Sequence, residues 1–181
     1  MCCAARRSTG PNQVWSLDTN YIPMVRGFVY LTAVVDWASR KIIEHRVAIT
    51  LEAVHIFEAL VAAFACWGLL DIVKTDQGTQ FTEGTFTEAV LGRSTRLSMD
   101  GKGVSRNNVF VERVWCSIMY EEVYLRAYEL ASRGWRSIGD YIKLCNRKRP
   151  YSILADRIPD EAYVGILSEL ASSSLFSCTR G

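Results

Sequence analysis

The chain has 181 residues, 49% of them hydrophobic and 22% charged, with a formal net charge of +2; this is the balance of one ordinary globular domain and excludes a disordered or low-complexity polymer. A charge this close to neutral neither demands nor excludes a nucleic-acid partner, for which only a local basic stripe would speak. Cys2, Cys3, Cys66, Cys116, Cys145 and Cys178 show no CxxC spacing, and His45 and His55 are the only histidines, so the cysteines read as reduced cytosolic thiols and not as a disulfide scaffold or zinc module.

The first ten residues hold no apolar run of the kind a signal peptide requires. Residues 14–21 then alternate Val14, Ser16, Asp18, Asn20 against Trp15, Leu17, Thr19, Tyr21, the period of a strand. After a turn, residues 28–36 form a continuous apolar and β-branched run, as expected of a strand buried on both faces, and residues 41–47 form a third strand. Short connections make these three an antiparallel meander.

A helix is predicted from Thr50, with Ile56, Leu60, Phe64 and Trp67 on one face and Gly68 at its end. The apolar run 59–70 within it is too short to span a bilayer. Residues 71–76 read as a short strand carried into a turn by "QGTQ", and residues 95–99 as another strand after a helical connection. Asn107 or Asn108 can cap the next helix, whose apolar row is Phe110, Val114 and Ile118. Further helix runs through Ile138, Ile142 and Cys145 until Pro150 disfavours it at Arg149. The order βββαβαβα is that of an α/β domain. Beyond Tyr163 only a Ser-rich run stands out, and residues 164–181 are expected to be loosely held.

Three carboxylates stand at positions that need a reason. Asp18 lies in mid-strand, where aspartate is disfavoured and a polar outer face is the plain explanation. Asp76 ends a strand before Gln77 and Gly78, ordinary turn chemistry, yet strand ends are where ligands gather in α/β sheets. Glu112 interrupts an apolar helical pattern, although an exposed helix glutamate is commonplace. Asp36 also ends a strand, but closing the turn before the third strand explains it fully. Asp18, Asp76 and Glu112 can converge at one sheet edge, where they would repel unless cations sat among them. Oxygen ligands of this kind suit Mg²⁺ or Mn²⁺, and a pair of ions suits phosphodiester chemistry.

From Asp76 to Glu112 is 112 − 76 = 36 positions, a spacing that resembles the Asp-Asp-Glu catalytic cores of retroviral integrases and bacterial insertion-sequence transposases. The blocks "NQVWSLDTNYIPM", "GFVYLTAVVDWASRKI", "TDQGTQFT", "SMDGKG", "NNVFVERVW", "YEEVYL" and "NRKRPYSIL" followed by "PDEAY" resemble, in order over residues 11–163, the integrase core of the insertion-sequence group. The resemblance implies an RNase H-like fold, a five-stranded mixed sheet flanked by helices. It implies Asp18, Asp76 and Glu112 as catalytic and metal-holding residues, two Mg²⁺ or Mn²⁺ ions, and nicking and strand transfer of DNA in a bacterial cytoplasm. Expected partners are transposon ends, target DNA, and further copies of the chain or a full-length transposase, with no membrane. Lys102, Arg106, Asn108, Arg113 and the cluster Arg147, Lys148, Arg149 are the candidate DNA contacts; a helix C-terminus alone would also favour that last cluster.

Departures from the pattern temper the activity more than the fold. Only residues 1–10 precede the matched blocks, where relatives carry a DNA-binding helical region, so the chain looks truncated, and residues 164–181 do not resemble the usual ending. Cys116 and Met119 stand where related sequences have Arg and Lys, at i+4 and i+7 from Glu112 and hence on its helical face. The competing readings are a non-catalytic relic that acts as an interaction or inhibitory module, and an RNase H-type nuclease.

Overall fold

The computed structural model describes residues 10–68, 70–75, 88, 90–92, 95–99, 109–126, 128 and 131–177. Strands β1 (Val14–Pro23), β2 (Phe28–Asp36) and β3 (Ile42–Ala48) form the antiparallel meander, and β4 (Ile72–Thr75) and β5 (Arg96–Met99) add to it in parallel. The order β3-β2-β1-β4-β5 makes β1 the middle strand of a five-stranded mixed sheet. Gly27, at φ 79, turns the chain from β1 into β2, a backbone conformation that costs glycine little.

The period-two alternation of β1 sends its two residue sets into two different cores. Trp15 and Leu17 face helix α1 (Ala53–Trp67), where they pack with Ile56, Leu60 and Phe64. The ring centroids of Trp15 and Phe64 are 5.6 Å apart, and each fully buried large side chain contributes about 1.5–3 kcal/mol. Ile22 faces the other way, into a cluster with Val111, Val114, Trp115 and Ile118 of helix α2 (Val109–Ile118) and Ile138, Ile142 and Cys145 of helix α3 (Ala131–Lys148). β2 contributes Val34 to one core and Leu31, Ala33 and Val35 to the other, which is why its sequence is apolar without alternation.

Helix α1 stops where expected: Gly68, at φ 83, donates its backbone N–H to Phe64 O. Helix α2 passes into a π-helical turn, Met119–Val123, and a closing α-helical turn, Tyr124–Arg126. Edge strand β3 is held by Asn146 of α3, whose side-chain amide bonds both the N–H and the C=O of Ile42. Helix α4 (Pro159–Ser177) docks through Tyr163, whose hydroxyl donates to Asn12 Oδ1 and whose ring meets Trp67. The backbone therefore continues in regular helix across the boundary at residue 163 drawn from the sequence. No described helix is long and apolar enough to cross a membrane.

Candidate active site

Asp18 lies on the middle strand, opposite Ala33 of β2, and its neighbour Leu17 pairs in parallel with Thr75 at the end of β4. The alternation that sends Leu17 into the α1 core turns Asp18 toward α2. This face is covered, so the plain reading of Asp18 as an outward polar residue does not hold. Its half-buried carboxylate is held from two directions: Oδ1 accepts the Thr19 backbone N–H at 2.8 Å, and Oδ2 accepts the Trp115 indole N–H at 2.8 Å.

Trp115 is 6% exposed. A buried indole packs by its rings but still requires an acceptor for its N–H, and Asp18 is that acceptor. Glu112, exposed on α2, is three residues before Trp115 and so its neighbour on the helix surface. One hydrogen bond thus ties the helix that carries Glu112 to the strand that carries Asp18. Asp76, the residue after Thr75, lies outside the described residues, as do Lys102, Arg106, Asn107 and Asn108. Among the described residues no three acidic, His or Cys side chains gather. The sequence reading did not single out Trp115 as a partner of Asp18; its place three residues after Glu112 on a buried helical row was the available signal.

Asp36 has the structural role assigned to it. It is 0% exposed; Oδ1 accepts the Asn12 N–H, and Oδ2 accepts the N–H and hydroxyl of Ser39. Burial pushes its pKa up, against the lowering effect of these hydrogen bonds.

The two positions expected to lie beside Glu112 toward DNA divide. Cys116 is exposed, whereas Met119 is partly buried against the α2 and α3 core. Met119 opens the π-helical turn, where the phase of an α-helix no longer applies. Arg113, Arg147 and Lys148 are exposed, but Arg149 is committed: its Nη1 and Nη2 donate to the two carboxylate oxygens of Glu121 at 2.8 and 2.7 Å. The "YEE" block and the "NRKRP" block are therefore joined through a bidentate pair.

The Arg149 hydrogen bonds hold the Glu121 carboxylate below its ordinary pKa of 4.5. A group with a depressed folded-state pKa stabilises the fold above its unfolded value and loses that effect as pH falls through the folded one. Glu121→Gln is expected to cost about 1 kcal/mol at neutral pH, the scale of a partly exposed pair. The gap from wild type should close as pH drops below 4.5, which thermal melts across a pH series will show.

Glu122, next to it, is 4% exposed. It accepts hydrogen bonds from Tyr128 and Ser137 and pairs with Arg126; burial and the bond to Glu122 push the Tyr128 hydroxyl up to about 12. Together Glu121 and Glu122 fasten the π-helical turn to α3. A concavity of about 610 Å³ lined by Arg126, Tyr128, Arg133, Arg136 and Asp140 lies beyond it. Neither Asp18 nor Glu112 lines this concavity.

The integrase core domain family matches residues 8–104, more than half of the chain. The chain is 28% identical over 160 residues to the transposase for insertion sequence element IS904 of Lactococcus lactis, covering 86% of this chain and 62% of that one. It is 28% identical over 167 residues to a putative transposase for IS986/IS6110 of Mycobacterium tuberculosis, covering 83% and 57%. With the transposase InsF for IS3fB of Escherichia coli the identity is 30% over 121 residues, covering 65% and 41%. The chain thus spans less than two thirds of the length of these curated relatives.

Among solved structures it is similar to the HTLV-2 integrase catalytic core domain in complex with magnesium, with a TM-score of 0.64 at 17% identity over 87% of this chain and 98% of that one. It is also similar to a chain of the simian T-cell lymphotropic virus intasome in complex with the PP2A subunit B56 gamma, with a TM-score of 0.75 at 16% identity over 87% and 56%. Retroviral integrase catalytic cores have the RNase H-like fold, and the sheet order and flanking helices of this chain are the same architecture. On the strength of the match over residues 8–104, the chain belongs to the integrase core domain family.

Proposed function

We propose that this chain is the catalytic core of a transposase that nicks DNA and transfers strands with divalent metal ions, and that Asp18, Asp76 and Glu112 are its catalytic carboxylates. The observation that carries the reading is the Trp115 to Asp18 bond at 2.8 Å, which brings the helix of Glu112 to the strand of Asp18. Asp76 follows Thr75 in the chain, and Thr75 pairs with Leu17, the residue before Asp18. The curated relatives are transposases, and one structural neighbour holds magnesium.

The donor set fits such an ion. Asp18 and Glu112 offer only oxygen ligands, which hard cations prefer, and a carboxylate oxygen has two lone pairs, so a hydrogen bond to Trp115 is compatible with ligation by the same group. When bound, two Mg²⁺ or Mn²⁺ ions would neutralise phosphate charge and lower the pKa of the attacking water or hydroxyl. The chain's own part is to hold Asp18 beside the helix of Glu112, with Glu112 open to solvent. In nicking, water attacks a phosphodiester, and the broken bond leaves a 3′-hydroxyl. In strand transfer, that hydroxyl attacks a target phosphodiester, exchanging one P–O bond for another with no protein-bound intermediate.

Transposon ends and target DNA are the proposed substrates, and a second copy or a longer transposase is the proposed partner. Lys102, Arg106, Asn108, Arg113, Arg147 and Lys148 are the proposed DNA contacts; Arg149 is withdrawn from that set by its bond to Glu121.

The reading is tested first by metal. An ion that binds only the folded state raises the melting temperature by mass action, so at about 100 times its Kd Mn²⁺ should add roughly 2.7 kcal/mol of stability. Asp76→Asn should remove most of that gain. Equal responses in the wild type and the variant would refute the assignment.

A further inference from the structure

Trp115 contributes more than apolar area. Its indole N–H donates at 2.8 Å to Oδ2 of Asp18 while the Thr19 backbone N–H donates at 2.8 Å to Oδ1, so each oxygen of the carboxylate has a donor of its own. The indole is buried in the cluster that also holds Ile22, Leu31, Val111, Val114 and Ile118, a close-packed interior where a bulky bicyclic ring has little room to turn. Thr19 belongs to the strand and Trp115 to the helix three residues beyond Glu112. The two bonds together fix the plane of the Asp18 carboxylate, and the one from Trp115 links it to the helix that carries Glu112.

We propose that Trp115 is a positioning residue for metal binding: its N–H holds the Asp18 carboxylate in the orientation in which Asp18 and Glu112 can ligate together. This inference rests on the reading of Asp18 as a metal ligand. Outer partners that orient a ligating group typically change metal affinity about 10–100-fold when removed, and the same factor is expected here. Loss of the indole N–H should weaken metal binding without removing a ligand, so saturating metal should restore the chemistry.

Trp115→Phe removes the N–H but also ring volume from a packed core. The decisive variant therefore carries β-(3-benzothienyl)alanine at position 115, which keeps the bicyclic shape and replaces the N–H by sulfur. Mn²⁺ binding to wild type, Asp76→Asn and this variant is to be measured by calorimetry, alongside metal-free melting and joining of a pre-cleaved DNA end. The expected result is a Mn²⁺ Kd raised about 10–100-fold in the sulfur variant, with metal-free melting close to wild type and joining recovered at saturating Mn²⁺. A wild-type Kd in the sulfur variant, while Asp76→Asn binds no Mn²⁺, would overturn the role of Trp115 and leave the carboxylate assignment standing. If the wild type itself binds no Mn²⁺, the carboxylate assignment fails, and the inference fails with it.

Discussion

Joining of a pre-cleaved DNA end to target DNA in Mn²⁺ is expected to fall by roughly a thousandfold or more in each of Asp18→Asn, Asp76→Asn and Glu112→Gln. The estimate follows from the several kcal/mol of transition-state charge stabilisation that a metal site supplies, at about 1.4 kcal/mol per tenfold in rate. Each substitution keeps the shape of the side chain and removes its charge. Asp18→Asn also sets an amide NH2 against the Thr19 or Trp115 N–H, so the melting temperature of each variant is measured alongside joining. Asp71→Asn is the control, because Asp71 is exposed immediately before β4, at the opposite end of that strand from Asp76. Joining by wild type and Asp71→Asn alone would support the triad; joining by Asp76→Asn at the wild-type rate would exclude it. A wild type that folds and binds Mn²⁺ yet joins nothing would favour the non-catalytic relic.

The sheet was readable because its signals are local. The alternation in β1, the unbroken apolar run of β2 and the glycine that ends α1 each follow from a few neighbouring residues. The same alternation separated Asp18 from Leu17, but which face was covered depended on α2, about a hundred residues away in the chain. Trp115 was hidden for that reason: its partner is 97 positions distant, and an apolar row in a helix does not reveal which member also carries a polar obligation. The π-helical turn was equally illegible, since an α-helical wheel assumes a constant phase, and nothing in the sequence showed that Met119, where the turn begins, is partly buried against the core. Arg149 looked like one of three equivalent cations, and only the fold shows that Glu121 holds it in a bidentate pair. Helix α4 was missed past residue 163 because its register carries little apolar asymmetry, and the docking of Tyr163 on Asn12 and Trp67 comes from tertiary structure.

Asp36 illustrates how a strand-end aspartate can matter greatly without chemistry, and its removal is expected to give the largest loss of stability. Asp36→Ala strips acceptors from the Asn12 N–H, the Ser39 N–H and the Ser39 hydroxyl, and unsatisfied buried donors cost about 1–3 kcal/mol each. Burial lowers the pKa of half-buried Arg40 and the Asp36 charge opposes that shift, so the substitution also takes away a charge that favours the Arg40 guanidinium. The three losses overlap, so the expected total is about 3–5 kcal/mol, or a fall in melting temperature of roughly 6–20 °C for a domain of this size. The pH dependence should run opposite to that of Glu121. Burial holds the Asp36 pKa above its ordinary 3.8, so the native state takes up this proton before the unfolded chain does. The stability tied to the group is then fully present below 3.8 and lost as pH rises through the raised folded value. As pH falls, the gap between wild type and Asp36→Ala should widen while the gap for Glu121→Gln closes. Melts of the three proteins across the acidic range decide it: a narrowing gap for Asp36→Ala would mean that the three hydrogen bonds outweigh burial, and that Asp36 is held as a carboxylate more firmly than its position at 0% exposure implies.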